Sequence, residues 1–198
     1  MNKLTVKDII TFAILGLIMT VLQHGIGGIL TFNMFVGMVL APMIICFINA
    51  PIFMLMAIRI GKPYVFLIYA ILVGIPFGLA GYWFVFLYFS GVGVICEFLI
   101  MRGEDAYKSP KRLTTLWTIY SALFIGSSII PMWFMRETYV KTALEGGFSS
   151  GYVDNILHYF TSPLWLTVIT LLSMIGGYLG SILGKKLLRR HFSRAGVI

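Results

Sequence analysis

The sequence predicts an all-α integral membrane protein with six transmembrane helices and both termini in the cytoplasm, and three observations carry that prediction. The first is composition. Of the 198 residues, 59% are apolar and 11% charged, where soluble domains run nearer half and a quarter. Mean hydropathy is +0.95, so the chain has too little polar surface to cover itself in water. The second is charge spacing. No Asp, Glu, Lys or Arg falls between Asp8 and Arg59, Lys62 and Glu97, Arg112 and Arg136, or Asp154 and Lys185. About 20 apolar residues cross the hydrocarbon core as a helix, and these runs have room for about six passes. The third is the uneven placement of the basic residues, taken up below.

Helices rather than barrel strands follow from periodicity. Lipid requires every backbone polar group to be satisfied internally, which only helices and closed barrels achieve. Barrel strands would alternate polar and apolar; these runs are apolar all round. The expected spans are 8–29, 34–59, 63–80, 82–102, 112–135 and 159–184, within one transmembrane domain covering 1–198. A short turn around Gly27, Gly28, Thr31 and Asn33 ends the first span, and Gly61-Lys62-Pro63 ends the second. Gly81-Tyr82 makes the third turn and Arg102 to Arg112 the fourth. Residues 136–158 are expected to form an outer loop, flexible and polar, and 185–198 a cytoplasmic basic tail. Lys3 and Lys7 before an apolar run resemble a signal peptide. The run is long and lacks a small-residue cleavage site, so it is read as retained.

Orientation follows from counting. This layout puts 13 of the 15 basic residues on one side, leaving Arg136 and Lys141 opposite. Positive residues stay cytoplasmic, which places both termini inside the cell membrane. The net charge of +8 is then the inside bias acting beside anionic lipid, and the short juxtamembrane clusters exclude a nucleic-acid partner.

Enzyme chemistry finds no footing. Intramembrane catalysis needs a nucleophile with its base, paired carboxylates or metal ligands. Glu97 is the one acid within a span, read as a locally paired or snorkelling carboxylate or as a contact for a partner subunit. There is no HExxH, and Cys46 and Cys96 have neither metal nor disulfide spacing. Catalytic residues and resident metals or cofactors are therefore expected to be none.

The outer ends of the spans differ in character from the basic ends. His24 closes span 1, Asn33 precedes span 2, and Tyr82 and Trp83 open span 4. Trp133, Arg136, Glu137 and Tyr139 follow span 5, and His158, Tyr159 and Trp165 open span 6. Each Trp or Tyr alone fits an interfacial aromatic belt. Together with two histidines, an Arg-Glu pair and an amide, they have the inventory of a ligand pocket. The loop 136–158 is then either a lid or a plain connector. Small residues recur at helical spacing as Gly176, Gly177, Gly180, Ser181 and Gly184, and as Ala13, Gly16 and Thr20. Such spacing serves packing within the chain or docking of another membrane protein. Pro42, Asn49 and Pro51 are expected to interrupt span 2, and Pro76 span 3.

Four segments carry a resemblance across essentially the whole chain. They are Lys3 to Asp8, Asn49 to Met56, Phe134 to Tyr139, and Gly180 to Leu188 running into Phe192 to Ile198. In these the chain resembles the S components of energy-coupling-factor (ECF) transporters, and more narrowly the Trep_Strep group of six-span membrane proteins. The resemblance implies an S component of an ABC-type importer. Such a subunit captures a vitamin or similar micronutrient at the outer face and docks on a membrane-embedded coupling protein driven by two cytoplasmic ATPases. It has no nucleotide site, and no GxxxxGK[ST] loop occurs here. The family's Ala-xxx-Ala docking motif on helix 1 is imperfect, because Leu17 lies four positions after Ala13; Ala13, Gly16 and Thr20 are the expected substitutes.

For the cargo, haem or another tetrapyrrole is the leading expectation. His24 or His158 could ligate haem iron, the aromatics could sandwich a porphyrin, and Arg136 could meet a propionate. The alternative cargo is a vitamin-like molecule. Competing functions are a self-sufficient channel or secondary transporter, whose usual marks are internal repeats and embedded charges, and a non-transporting assembly subunit.

Overall fold

The computed structural model describes residues 4–103 and 105–192, and all the regular structure among them is helical. In chain order the helices are α1 (Val6–Leu30), α2 (Ala41–Ile60), α3 (Val65–Leu79), α4 (Trp83–Leu99), α5 (Pro110–Leu123), α6 (Gly126–Phe134), α7 (Arg136–Glu145), α8 (Ser150–Thr161) and α9 (Pro163–Phe192). A π-helical turn, Val36–Leu40, leads into α2, and a 3-10 turn, Ala106–Lys108, precedes α5.

Among the described residues, four stretches are long and apolar enough to cross a bilayer: Val6–Leu30, Val36–Ile60, Pro110–Phe134 and Pro163–Arg189. Helices α3 and α4 are equally apolar but have 15 and 17 residues. At 1.5 Å per residue they reach about 22 and 26 Å, short of a core about 30 Å thick.

The start of α1 shows why a helix begins there. Thr5 and Asp8 form a reciprocal cap: the Asp8 carboxylate accepts from the Thr5 amide at 2.7 Å, and the Thr5 hydroxyl accepts from the Asp8 amide at 3.3 Å. The same carboxylate pairs with Lys62 in the α2–α3 turn. Glu97, near the end of α4, ties the next joint. It is buried and accepts from the Tyr64 amide at 2.7 Å and the Tyr107 hydroxyl at 2.6 Å. The Tyr107 oxygen in turn accepts from the Phe66 amide at 2.8 Å. One carboxylate, directly and through a phenol, thus serves the free amides at the start of α3. Burial beside that carboxylate pushes the Tyr107 phenol well up. Glu97 is therefore a locally paired, structural group, held by Tyr64 and Tyr107.

These contacts bring Lys7, Arg59, Lys62, Arg102 and Arg112 to one end of the bundle, here called the basic end. The end of α9 joins them, because α9 runs parallel to α2. Going down both helices, Gly176 faces Met43, Gly180 faces Phe47 and Ala50, and Gly184 faces Pro51 and Met54. Gly177 turns to α5, against Ser121 and Trp117. The small residues of α9 are thus spent on packing within the chain. A larger side chain at Gly176, Gly180 or Gly184 would strike the backbone of α2, as expected where small residues let helices approach closely.

Pro51 and Pro76 lie inside α2 and α3 without ending them. Pro51 has no amide hydrogen, which frees the Phe47 carbonyl of its helical partner; Gly180 lies against that same oxygen. The core is largely aromatic. Phe53 stacks on Trp117 with ring centroids 4.6 Å apart, and Phe66, Tyr69, Phe89 and Tyr120 close around them. The Trp117 indole donates to the Cys46 carbonyl at 2.9 Å, and Cys46 and Cys96 are both buried.

Three expectations are corrected. Residues 136–158 are not an irregular loop but α7, a short turn, and most of α8. Helix α8 buries Val153, Ile156, Leu157 and Phe160, the i, i+3, i+4, i+7 stripe of an amphipathic helix. They form a second, smaller core with Val39, Ile125, Met132 and Ile169. The last long helix begins at Pro163 rather than 159, because Ser162 is extended (φ −79°, ψ 121°), and it continues through the first part of the expected tail to Phe192. The stretch 112–135 is two helices, α5 and α6, joined at Phe124 and Ile125. Lys3, and residues 193–198 with Arg194, lie outside the described residues.

Candidate functional site

At the end opposite the basic residues, five segments leave a cavity of about 250 Å³. Helix α1 contributes Gln23, His24, Gly27 and Gly28; the π turn and α2 contribute Gly37, Ala41, Pro42 and Ile45. Phe77 comes from α3, and Phe124, Ile125, Ser127 and Ser128 from the α5–α6 joint.

The sequence builds this space by interrupting two of its longest helical stretches at one depth. The π turn adds a residue per turn to the start of the second stretch, and such turns cluster at functional sites. Gly37 permits it: a side chain there would press on the backbone of Leu30 and Thr31, 3.1 Å away. The α5–α6 joint is the other interruption. Gly126 sits under the Tyr88 ring, whose hydroxyl donates to the Leu123 carbonyl at 2.7 Å.

The wall is apolar with few polar groups, as in small-molecule sites generally. Gln23 is 4% exposed and its Nε2 has no hydrogen-bond partner among the described residues. An unmade bond at a buried amide costs about 1–3 kcal/mol. The Ser127 hydroxyl donates to the Phe124 carbonyl at 2.9 Å, leaving its oxygen free to accept. His24 stands on the exposed side, with its ring 5.5 Å from that of Phe77. Among the described residues no Asp, Glu, Lys or Arg lines the cavity.

The other residues singled out in the sequence share this end of the molecule but not the cavity. Asn33 is exposed, and its Oδ1 accepts from the Val36 amide at 3.1 Å, which fixes the turn after α1. Tyr82, at the α3–α4 joint, lies 6.3 Å from Tyr139 of α7; burial pushes the Tyr139 phenol up to about 12. Trp83 and Trp133 are 50% and 62% exposed, the posture of an interfacial belt rather than of a pocket wall. Arg136 and Glu137 are exposed on α7, where they border a shallow trough lined by that helix alone. On α8 and α9, Tyr159 packs on Trp165 at 5.0 Å and Trp165 on Phe35 at 6.2 Å. His158 is exposed beside Tyr159, at 6.1 Å.

Of the candidates, then, only His24 lines the cavity. Gln23, Phe77, Ser127 and Ser128 escaped sequence reasoning. The signal available was Gly126-Ser127-Ser128, a small polar step inside an apolar run, together with an amide on the helix position next to His24. Of the small residues on α1, Gly16 is buried against Leu72 of α3, Thr20 donates to the Gly16 carbonyl at 2.9 Å, and Ala13 is exposed.

No curated protein and no solved structure matches the chain. A family model described as a hypothetical bacterial integral membrane protein matches residues 6–194, which takes in every described helix from α1 to α9. The chain accordingly belongs to the Trep_Strep family of bacterial integral membrane proteins.

Proposed function

We propose that this protein is the substrate-binding S component of an ECF-type importer in the cell membrane. It would span the bilayer six times, with α3 and α4 as its short spans and both termini in the cytoplasm. The observation that carries the reading is a largely apolar cavity, with Gln23, His24 and two serines in its wall, at the end of the bundle opposite the basic residues. The positive-inside rule assigns the basic end to the cytoplasm and so turns the cavity's end outward.

A binding subunit of this kind acts by capture. Cargo enters the cavity from outside, and a membrane-embedded coupling protein with two cytoplasmic ATPases drives its release. It needs no catalytic residues of its own. Helix α1 suits the docking role: it buries only Gly16, Met19 and Gln23, and it exposes Ile10, Ile14, Leu17 and Val21 along with Ala13. Gly16, committed to α3, supports that face from behind.

The cavity also ranks the cargo classes. Its volume of about 250 Å³ falls just under the range of about 300–1,000 Å³ typical of drug-sized ligands. That suits a compact vitamin-like molecule better than a tetrapyrrole. Haem would find one imidazole at the cavity, His24, while His158 stands apart on α8. Titration with haemin decides between them. No Soret shift removes the tetrapyrrole; a shift abolished by His24→Ala or by His158→Ala identifies the ligand.

The functional test is purification of the full chain from its native membrane. An S component brings with it a membrane partner and two ATPases, and moves solute into proteoliposomes only with ATP. A chain that transports alone is a channel or secondary transporter.

A further inference from the structure

We infer that α7 lies flat in the headgroup layer at the cavity end of the bundle, a monotopic helix whose partner is the phospholipid surface itself. The inference goes beyond the binding-subunit reading and does not depend on it. Depth is the first argument. Lys62 before α3 and Arg102 after α4 keep the basic end of that hairpin out of the hydrocarbon. From there α3 and α4 reach about 22 and 26 Å toward the other face, against a core about 30 Å thick. Their joint, at Tyr82, therefore stops at the far edge of the hydrocarbon or just short of it. Tyr139, in the middle of α7, packs on the Tyr82 ring at 6.3 Å. The start of α7 is held at the same level. It follows Trp133 and Phe134 directly, and Phe134 stacks on Phe84 at 5.5 Å, next to Trp83. Trp83, Trp133 and Phe134 are each half exposed or more, as in an interfacial belt. Helix α7 thus occupies the shortfall left by the short hairpin, which the bilayer would otherwise meet by thinning.

The order of side chains around α7 is the second argument. Tyr139 and Ala143 turn to the second core, with Val140 at its margin. At about 3.6 residues per turn, Leu144 comes next round the helix, then Lys141 and Glu145, and last Thr138 and Thr142 on the far flank. Leu144 is 45% exposed, and Phe148, stacked on Tyr152 at 4.9 Å, is 48% exposed. In water these two apolar side chains would be a standing cost; at the acyl boundary they are covered. The trough beside Val140 and Leu144 is bordered by Arg136, Glu137, Lys141 and Glu145. Two cations against two acids leave it without net charge. An acyl chain can lie on Val140 and Leu144 while the long charged side chains reach out to the phosphate layer, and no anionic lipid is required.

The test uses the full-length protein, with Cys46 and Cys96 replaced by alanine, in phosphatidylcholine nanodiscs. A nitroxide is attached to Leu144→Cys, Phe148→Cys or Thr142→Cys, three positions exposed in the fold. Collisions of each label with oxygen, which concentrates among the acyl chains, and with a water-soluble nickel chelate report its depth. Oxygen should dominate at 144 and 148, and the chelate at 142. Chelate dominance at all three positions puts α7 in water and overturns the inference. Shielding of 144 and 148 from both reagents overturns it in favour of a second copy or another protein on that face. Oxygen dominance at all three also overturns it, because the helix then sits among the acyl chains. So does oxygen dominance that appears only when phosphatidylglycerol is added, because the surface would then select charge. None of these readouts involves cargo, ATP or a coupling protein, so they fail or succeed separately from the importer reading.

Discussion

The seam between α2, α5 and α9 and the corner between α1, the π turn and α6 are built from the same apolar alphabet and put to opposite uses. In the seam, glycines bring backbones into contact, the one carbonyl freed by Pro51 is covered by Gly180, and the Trp117 indole finds the Cys46 carbonyl. In the corner, Gly28 faces open space and two helical stretches break at the same depth, around a cavity lined by Gln23 and His24. A membrane bundle gains stability where small residues close distances. It gains a site where irregular backbone lines a cavity.

That contrast can be broken most forcefully at the seam. Gly180→Leu drives a side chain into the Phe47 carbonyl and Ala50; overpacking against backbone exceeds the usual penalty of about 1–3 kcal/mol. Loss of a monodisperse, cooperatively unfolding protein in detergent is the expected outcome. Next comes Phe160→Ala, which empties the second core at α8 and should cost about 3 kcal/mol. Its damage should stay local: hydrogen exchange rises in α8 and α6 while the Phe53–Trp117 core keeps its protection. Glu97→Ala strands the Tyr64 amide and the Tyr107 hydroxyl, at about 2 kcal/mol. Thermal unfolding measures it, with Glu97→Gln recovering part of the loss. The smallest effect is expected on the exposed face of α1, where Ile14→Ala, with Ile14 55% exposed, should change stability by less than about 0.5 kcal/mol. If α1 docks the coupling protein, the same variant should weaken co-purification while leaving the melting temperature unmoved.

The long helices were legible because charge-free runs and basic clusters report directly on solvent. Gly61 and Gly81, both in left-handed backbone (φ 60° and 92°), mark the second and third turns where the sequence put them. The segment from Arg136 to His158 was misjudged because glycines and serines near its centre outweighed the spacing of Val153, Ile156, Leu157 and Phe160. Those four residues spell a helix once the period is counted. Helix α7 buries nothing, so no apolar stripe announces it. The cavity was harder still. His24 was found because imidazoles are rare in apolar runs. Gln23 and Ser127 owe their role to the π turn and to the α5–α6 joint, and neither irregularity has a periodic signal. Aromatic residues at the same depth looked like one pocket, yet depth along a helix says nothing about azimuth, and Trp83 and Trp133 turn outward.

Cysteine labelling in intact cells tests the central claim, an outward-facing cavity on a bundle anchored by its basic end. Cys46 and Cys96 are buried and can be replaced by alanine to give a silent background. Single cysteines at Trp133, His158, Arg102 and Arg112 are then exposed to a membrane-impermeant maleimide. The account expects Trp133→Cys and His158→Cys to react in intact cells, and Arg102→Cys and Arg112→Cys only after permeabilisation. Reaction of the first two on opposite faces, or of the arginine positions from outside, would contradict it.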